Sequence, residues 1–501
     1  MQVVWFKKDL RIVDHHALVA AAQRGSVLPL YIIEPELWRQ PDMSNRHYQF
    51  LKDCLEDLDK NFLKLGSNLV IKVGDCLSVL GQLHKKYHIE ALWSHQETGN
   101  GWTYNRDKKV QKWAVSCGIQ WHQKVQNGVT RGLKNRDGWA VRWTRFMQET
   151  ILVEPSKISL TKEASDTMPT AKMLSLDDDP NLILQKGGRC EGLKQINEFL
   201  YLRGEGYARE MSSPVTAYSS CSRISPHLSF GTLSIREVFQ SCQKRSFEIK
   251  NAPLRKRGKW ATALRSFSSR LRWHCHFMQK LEDQPSIEFQ NLHPIYNGLR
   301  EKSFNEDYFE AWKEGNTGYP MVDACMRALK ATGWLNFRMR AMLMSFSSYH
   351  LWLHWRKPAL HIANLFVDYE PGIHYSQVQM QSGTTGINSI RIYNPVKQST
   401  DQDPNGLFIK EWIPELRNIP ISYLHTPWKY TNTIKDYPAP IVNEQEARKK
   451  ASARLYALRK SPQHQTKARK IVQRHGSRKP SRKRKVAPIY LAQPIQEEFS
   501  L

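Results

Sequence analysis

The sequence predicts two unequal domains: an α/β domain with a parallel, Rossmann-like sheet, followed by a larger all-helical domain. In residues 1–130, short apolar runs alternate with amphipathic stretches, which is typical of parallel strands joined by helical crossovers. From about residue 191 to residue 435 the apolar period becomes helical, as at Met339, Met342, Leu343 and Phe346. The 501 residues are enough for both domains and a large core.

Five runs in the first domain have the length and composition of strands, at residues 3–6, 27–33, 68–73, 89–93 and 119–121. No GxGxxG follows the first run, so the sequence does not support a dinucleotide-binding Rossmann site. A glycine-rich segment, 97–106, follows the fourth run, and the ends of parallel strands are where such sheets bind ligands.

Two further segments differ in composition from the domains. Residues 131–190 are mixed and polar, with Pro155, Pro169 and an Asp-rich run at 177–180, and we expect a connector between the domains. Residues 436–501 are predicted to be a basic, disordered tail, because Lys, Arg, Ser and Gln predominate over large apolar groups. The alternative is that 448–460 forms a helix on an anionic surface.

The net charge of +27 favours a polyanionic partner, most simply nucleic acid. Residues 448–485 contain 16 Lys and Arg and no Asp or Glu, yet the remainder of the chain is basic as well. The eight cysteines form no CxxC pair, so no metal site is predicted, and reduced thiols indicate a cytoplasmic protein. No apolar run is long enough to predict a membrane span, and we expect a monomer.

Several motifs in order identify a family resemblance. The opening residues 4–11, VWFKKDLR, precede GNTGYPMVDACMRAL at 315–329, GWLNFRMR at 333–340 and DYEP at 368–371. Together they resemble the photolyase/cryptochrome flavoproteins over about residues 1–430. The resemblance implies an antenna-type first domain, FAD bent into a U within the helical domain, and absorption of blue light. It leaves open whether an antenna pigment, folate or deazaflavin, binds the first domain.

The resemblance also implies which residues contact FAD. Tyr207 and residues 221–225 correspond to the pyrophosphate site, although Cys221 replaces a Thr. Arg340 and Asp368 correspond to a pair beside the flavin ring, Glu370 to an acceptor for flavin N3–H, and His374 to the residue facing N5. The full predicted set is Tyr207, Cys221, Ser222, Arg223, Ile224, Ser225, Phe267, Arg270, His274, Phe337, Arg340, Asp368, Glu370 and His374.

By the same resemblance, a base flipped out of DNA enters a pocket over the adenine side of FAD. Trp273 keeps its family position, whereas Arg270 replaces a Glu, Phe337 an Asn, Met380 a second Trp and His274 an Arg. Arg270 presents only donors, and Met380 offers a poorer stacking face than Trp. These changes weaken the expectation of ordinary cyclobutane-dimer repair. They favour another lesion, single-stranded DNA or signalling.

Two residues beyond the pocket, Arg391 and Lys397, fall where the family contacts the DNA backbone. The predicted DNA-binding set is therefore Trp273, Phe337, Met380, Arg391 and Lys397. All five lie in the predicted helical domain, and the basic tail is a further candidate.

The family's chain of three Trp for flavin photoreduction is largely missing. Its positions align with Val378, Trp355 and Lys302, so only the middle Trp is present. Other rings that could supply a path are Trp334, Tyr349, Trp352 and Tyr375. We predict catalytic roles for His374, Trp273 and Trp355. His374 could donate to N5 or exchange a proton near neutral pH, and we expect it to tune which flavin radical accumulates under light. The alternative is that His374 only hydrogen-bonds the nearby backbone.

Two functions remain open. The favoured one is a photolyase-type enzyme in which excited, reduced FAD donates an electron to a pyrimidine photolesion. The alternative is a cryptochrome-like photoreceptor without repair activity. A dark electron-transfer flavoprotein is a third possibility, but no docking surface for a reductase is recognisable.

Overall fold

The computed structural model of the protein describes residues 1–158, 163–177, 182–431, 434 and 436–478. The predicted tail beyond residue 478 lies outside these residues, as does most of the Asp-rich run at 177–180.

The first domain is a five-stranded parallel sheet in the order β3-β2-β1-β4-β5. The strands are β1 Gln2–Phe6, β2 Val27–Ile33, β3 Val70–Val73, β4 Ala91–His95 and β5 Gln120–Lys124. Helices cover it: α1 His16–Ala22, α2 Pro35–Trp38, α3 Asn45–Lys64, α4 Cys76–Tyr87 and α5 Gly101–Ser116. Every residue of β1, β2 and β4 is buried, as expected for parallel strands with helices on both faces. The predicted α/β class is confirmed.

The second domain consists of helices. The first helices after the last strand are α6 Trp139–Gln148, α7 Arg189–Glu198, α8 Tyr207–Glu210, α9 Pro214–Ser220, α10 Ser225–Ser229, α11 Ile235–Asn251, α12 Leu254–Arg257 and α13 Trp260–Asp283. They are followed by α14 Glu306–Glu314, α15 Pro320–Thr332, α16 Phe337–Ser345, α17 Arg356–Leu365, α18 Pro371–Gln381, α19 Pro395–Gln402, α20 Leu407–Trp412 and α21 Ile421–Leu424. Among the described residues, none of the helices combines the length and apolar character needed to cross a bilayer.

Helices α13 and α18 pack closely because Gly372 lies at their contact. A Cβ on Gly372 would come within 2.6 Å of the Met278 Cα, so a larger residue would push the helices apart. Since α18 follows directly on Asp368 and carries His374, this contact positions one wall of the predicted flavin site.

The two domains meet along the segment that leads into α3. Tyr369 donates its hydroxyl proton to Asp42 Oδ2 at 2.6 Å, and His47 Nε2 donates to the Phe366 carbonyl at 2.8 Å. The segment just before α18 is therefore fixed to the first domain by hydrogen bonds.

The structure differs from the predicted disorder in residues 444–475, which form α22 Glu444–Arg459 and α23 Pro462–His475. Ala451 and Leu455 of α22 are buried against Tyr296 and Tyr349. In α23, His475 Nε2 donates to Gln284 Oε1 at 2.9 Å. These helices need few apolar residues of their own to be stable, because residues distant in sequence supply the surface against which they pack.

Candidate functional site

A bidentate ion pair joins α16 to the segment before α18. Arg340 donates to Asp368 Oδ1 at 2.9 Å and to Oδ2 at 2.8 Å. Burial raises the pKa of Asp368, but Arg340, Ser225 and Arg223 outweigh it and lower that pKa below its ordinary value. The structure thus brings four of the predicted flavin-site residues together around one fixed carboxylate.

The loop before α10 contains a buried guanidinium with unused donors. Arg223 adopts a φ of +59°, uncommon for a residue with a side chain. Its guanidinium lies 4.1 Å from the ring centroids of both Tyr218 and Trp334. Its Nε and Nη1 are buried and meet no hydrogen-bond acceptor among the described residues. A buried cation with free N–H donors suits a phosphate group, because an anion would satisfy both charge and hydrogen bonds.

Arg203, which the sequence motifs do not indicate, fixes the conformation of the same loop. It donates to the carbonyl oxygens of Ser219 at 3.0 Å and Ser222 at 2.9 Å, and also to that of Cys221. These bonds go to backbone atoms, so no pattern of side chains could have revealed them. Burial raises the pKa of Cys221 to about 12, and its thiol is therefore a neutral group at this site.

Three predicted contacts form a second cluster on the side of α13. The Tyr207 and Phe267 ring centroids are 6.1 Å apart. Arg270 lies beside the Tyr207 hydroxyl and lowers its pKa, against the larger effect of burial. Ile224 is buried in the same core cluster and so contributes packing. Burial raises the pKa of Tyr207, which keeps its hydroxyl protonated.

His374 lies in the first turns of α18 as a neutral ring. Its Nε2 donates to the Ala359 carbonyl at 2.9 Å, which leaves the lone pair on Nδ1. Burial lowers the pKa of His374 to about 4, and burial lowers that of His274 to about 4 as well. Titration of His374 therefore lies below the neutral range in the free protein.

A row of rings leads away from His374. The Tyr375 ring is 5.3 Å from His374 and 6.5 Å from Trp355, which is fully buried and donates to Asn291 at 2.7 Å. The hydroxyl oxygens of Tyr375 and Tyr369 are 3.3 Å apart. Because Tyr369 gives its only proton to Asp42, Tyr375 is the donor in this second bond. Hydrogen bonds through Tyr369 therefore link the Tyr375 ring to the buried carboxylate of Asp42.

Glu370 has its electrostatic neighbours in the first domain. Burial raises the pKa of Glu370 to about 7, against the lowering effect of Lys8, while Glu97 raises it further. No contact joins it to the Arg340–Asp368 pair among those the structure describes, so its bond to flavin N3–H remains a prediction.

The predicted DNA-binding residues lie on or near the surface of the helical domain. Trp273 is half-buried and stacks on Phe277 with centroids 5.5 Å apart, and Phe337 is 44% exposed. Met380 is half-buried at the end of α18. Lys397 is exposed and pairs with Asp401 at 3.0 Å, whereas Arg391 is exposed on the loop before α19.

The glycine-rich loop lines a cleft at the carboxyl ends of the strands, as predicted. The cleft extends from Glu97 and Asn100 to Tyr369 of the helical domain, and its volume is about 60 Å³. Its base is closed by Arg106, which donates to Glu34 at 2.8 Å and to Glu97 at 2.7 Å. Ligand pockets usually measure several hundred Å³, so this cleft as it stands is smaller than a typical ligand site.

Two protein-family models match this chain. Residues 2–131 match the family model "DNA photolyase", and residues 267–457 match "FAD binding domain of DNA photolyase". The chain belongs to the DNA photolyase/cryptochrome family. It carries that family's FAD-binding domain, and the donors of Arg223 with the Arg340–Asp368 pair fit a nucleotide with a diphosphate.

Proteins with similar sequences include both photolyases and a cryptochrome. A deoxyribodipyrimidine photo-lyase of Streptomyces griseus is 28% identical over 471 residues, covering 89% of this chain and 97% of the relative. Cryptochrome-2 of Arabidopsis thaliana is 28% identical and covers 89% of this chain and 77% of the relative. An archaeal photolyase structure from Sulfolobus tokodaii, described with two FAD molecules, is 27% identical with a TM-score of 0.75, covering 91% and 100% of the chains.

Proposed function

We propose that this protein is a blue-light-dependent, photolyase-type flavoenzyme that acts on a pyrimidine photolesion in DNA. The observation that carries the proposal is the buried site of Arg223, Arg340 and Asp368. It offers fixed charges and unused donors to a bound dinucleotide. The basic charge of the chain supports DNA as the substrate.

In this proposal, Tyr207 and residues 221–225 hold the FAD diphosphate, and the Arg340–Asp368 pair lies beside the flavin ring. FAD, when bound, supplies the light absorption and one-electron transfer chemistry. His374 presents its Nδ1 lone pair to the flavin side of α18.

The DNA-facing roles follow from exposure and charge. Trp273 offers a half-buried ring to a flipped base, and Phe337 and Met380 belong to the same domain. Arg391 and Lys397 would bind backbone phosphates. Because Arg270 lies beside the Tyr207 hydroxyl and lowers its pKa, we assign Arg270 to the cofactor site rather than to the lesion.

The deciding experiment is repair of defined lesions. The purified, reduced protein is illuminated with oligonucleotides containing a cyclobutane dimer or a (6-4) product, each single- and double-stranded. We expect restored bases on at least one substrate in light and none in the dark. A flavin-loaded protein that restores none of the four in light would overturn the repair proposal.

The second candidate is a photoreceptor without repair activity. It is favoured by Val378 and Lys302, which stand at two positions of the family's Trp chain. Such a protein would change its binding to DNA or to a partner on illumination while leaving all lesions intact.

All eight cysteines are free thiols, and we infer a reducing, cytoplasmic location from them.

A further inference from the structure

A groove of about 690 Å³ lies outside the flavin site, between the loop at 390–392 and α22. Ile390 and Ile392 form one wall, and Arg448, Lys449 and Tyr456 belong to the other. Residues 448, 452 and 456 repeat every four positions, so they lie along one face of α22.

The α22 wall is held in place by the neighbouring face of the same helix. Ala451 and Leu455 are 1% and 0% exposed and pack on Tyr296 and Tyr349. Arg459 donates from Nε to the Tyr296 hydroxyl at 3.2 Å. The groove is therefore a fixed feature of the fold, although composition alone predicts disorder here.

The groove is cationic and partly apolar. Arg448 is oriented by Glu444, which accepts from its Nε at 2.8 Å, and its side chain remains 47% exposed. Lys449 is exposed and forms no ion pair with any described residue. Tyr456 is 50% exposed, a large fraction for a ring beside two isoleucines.

We propose that this groove binds single-stranded DNA. Cations that follow a phosphate backbone, next to an exposed ring on which a base can stack, are the combination used by single-strand binding sites. A smooth duplex offers phosphates to Arg448 and Lys449, but its stacked bases cannot reach Tyr456. The groove adjoins Arg391, which neighbours both Ile390 and Ile392, so a strand there continues the predicted DNA surface. The proposal rests on the proposed DNA-directed function and extends it to the strand beside the lesion.

The test measures DNA binding of the full chain in the dark. Fluorescence anisotropy follows a labelled oligo-dT and a duplex of equal length across a salt series, for wild type and for R448Q/K449Q, Y456A and the control K85Q/K109Q. The two control lysines are exposed on α4 and α5 of the first domain and remove the same charge. Thermal unfolding and flavin absorbance of each variant show that the fold is retained.

For R448Q/K449Q we expect the slope of log affinity against log salt for the single strand to shrink by about 1.4, at about 0.7 per lost phosphate contact. For Y456A we expect single-strand binding to fall between about 5-fold and 100-fold with the salt slope unchanged, because stacking releases no ions. Duplex binding by Y456A and single-strand binding by K85Q/K109Q should stay near wild type.

Three results would overturn the proposal: an unchanged slope in R448Q/K449Q, equal losses in the control pair, or equal losses of duplex and single-strand binding in Y456A. Failure of the proposed function is recognised separately. A protein that repairs no lesion but shows the expected slope and stacking losses retains the groove and refutes only the repair chemistry.

Discussion

At the scale of single residues, the bidentate geometry of Arg340 on Asp368 should determine how tightly flavin is held. Replacing Arg340 by Lys keeps the charge but removes one of two parallel hydrogen bonds. We expect this to weaken flavin binding by about 1.5–3 kcal/mol. Equilibrium dialysis of the apoprotein against FAD measures the change.

The matched control for that substitution is Arg327→Lys. Arg327 of α15 also donates to both oxygens of one carboxylate, Glu415, at 2.8 and 3.0 Å, with both bonds made by its Nη1. Equal loss of flavin in both variants would mean that Arg340 acts only through the stability of the fold.

Tyr375 is the residue best placed to replace the missing Trp near the flavin. It lies between His374 and Trp355, and its hydroxyl proton can pass to Tyr369, whose proton goes to Asp42. We expect Tyr375→Phe to slow flavin photoreduction about 10-fold or more, because Phe is far harder to oxidise and has no proton to release.

Two measurements on Tyr375→Phe test this role: the bleaching rate of the oxidised-flavin band with an external reductant, and the tyrosyl radical signal in electron paramagnetic resonance. Tyr48→Phe is the control, since Tyr48 is a buried tyrosine of the first domain and its hydroxyl donates to the Pro169 carbonyl. The same rate and signal in wild type and Tyr375→Phe would exclude Tyr375 from the path.

The role of a residue can be predicted from sequence only where a motif in the chain marks its position. The Arg340–Asp368 pair is predicted from two motifs and is present. Arg203 is not, because it binds backbone carbonyls of a loop 16 to 19 positions away. The neighbours of Glu370 come from the first domain, and a motif in the second domain carries no information about them.

At the scale of elements, the motif before α15 holds the C-terminal segment in place. Asp323 accepts from Thr317 N at 2.8 Å and from Gly318 N at 3.0 Å, and it also accepts from the Tyr437 hydroxyl at 2.7 Å. Gly318 has a φ of +78°, and a Cβ there would lie 2.4 Å from the Ala439 carbonyl oxygen. The glycine is needed because the chain on its way to α22 passes directly over it.

We therefore expect Gly318→Ala to lower the free energy of unfolding by about 3 kcal/mol or more, from strain at positive φ plus the clash. Gly298→Ala isolates the first contribution, because Gly298 has a φ of +77° and nothing within 4 Å of the added carbon. It should cost about 1 kcal/mol. Chemical denaturation measures both, and equal losses would show that the approach of residue 439 is unimportant.

Elements with a strong local pattern are predicted correctly. The five strands and the helix that begins at Pro320 and ends before Gly333 are present within a few residues. Helices α22 and α23 contradict the expected disorder, because their stabilising partners, such as Tyr296 and Tyr349, lie far away in sequence. Composition describes what a segment contributes, but not the surface it packs against.

At the scale of the whole molecule, buried neutral histidines should make the apoprotein sensitive to acid. Burial lowers the pKa of His47 and His227 to about 4 and that of His95 and His475 to about 3. Between pH 6.5 and about 4 the unfolded chain binds more protons at these sites, so the free energy of unfolding should fall as pH falls. Glu288 and Glu370, with pKa values raised by burial to about 7, oppose this trend but are fewer.

His47→Gln tests the origin of that slope. In wild type, His47 accepts from Ser44 N at 3.1 Å and donates to the Phe366 carbonyl, and a glutamine side chain can make both kinds of bond without titrating. We expect the slope between pH 6.5 and 4 to become shallower by up to about 1.4 kcal/mol per pH unit. Urea unfolding at several pH values measures it, and an identical slope would exclude His47.

The docking of α22 on Tyr296 and Tyr349 has a practical consequence for recombinant work. Composition alone would suggest ending the chain near residue 435. That truncation would expose the apolar surface around Tyr296 and Tyr349 and remove His464, the ring that stacks on His293. Such a fragment should aggregate during purification, even though it still contains every residue predicted above to contact flavin.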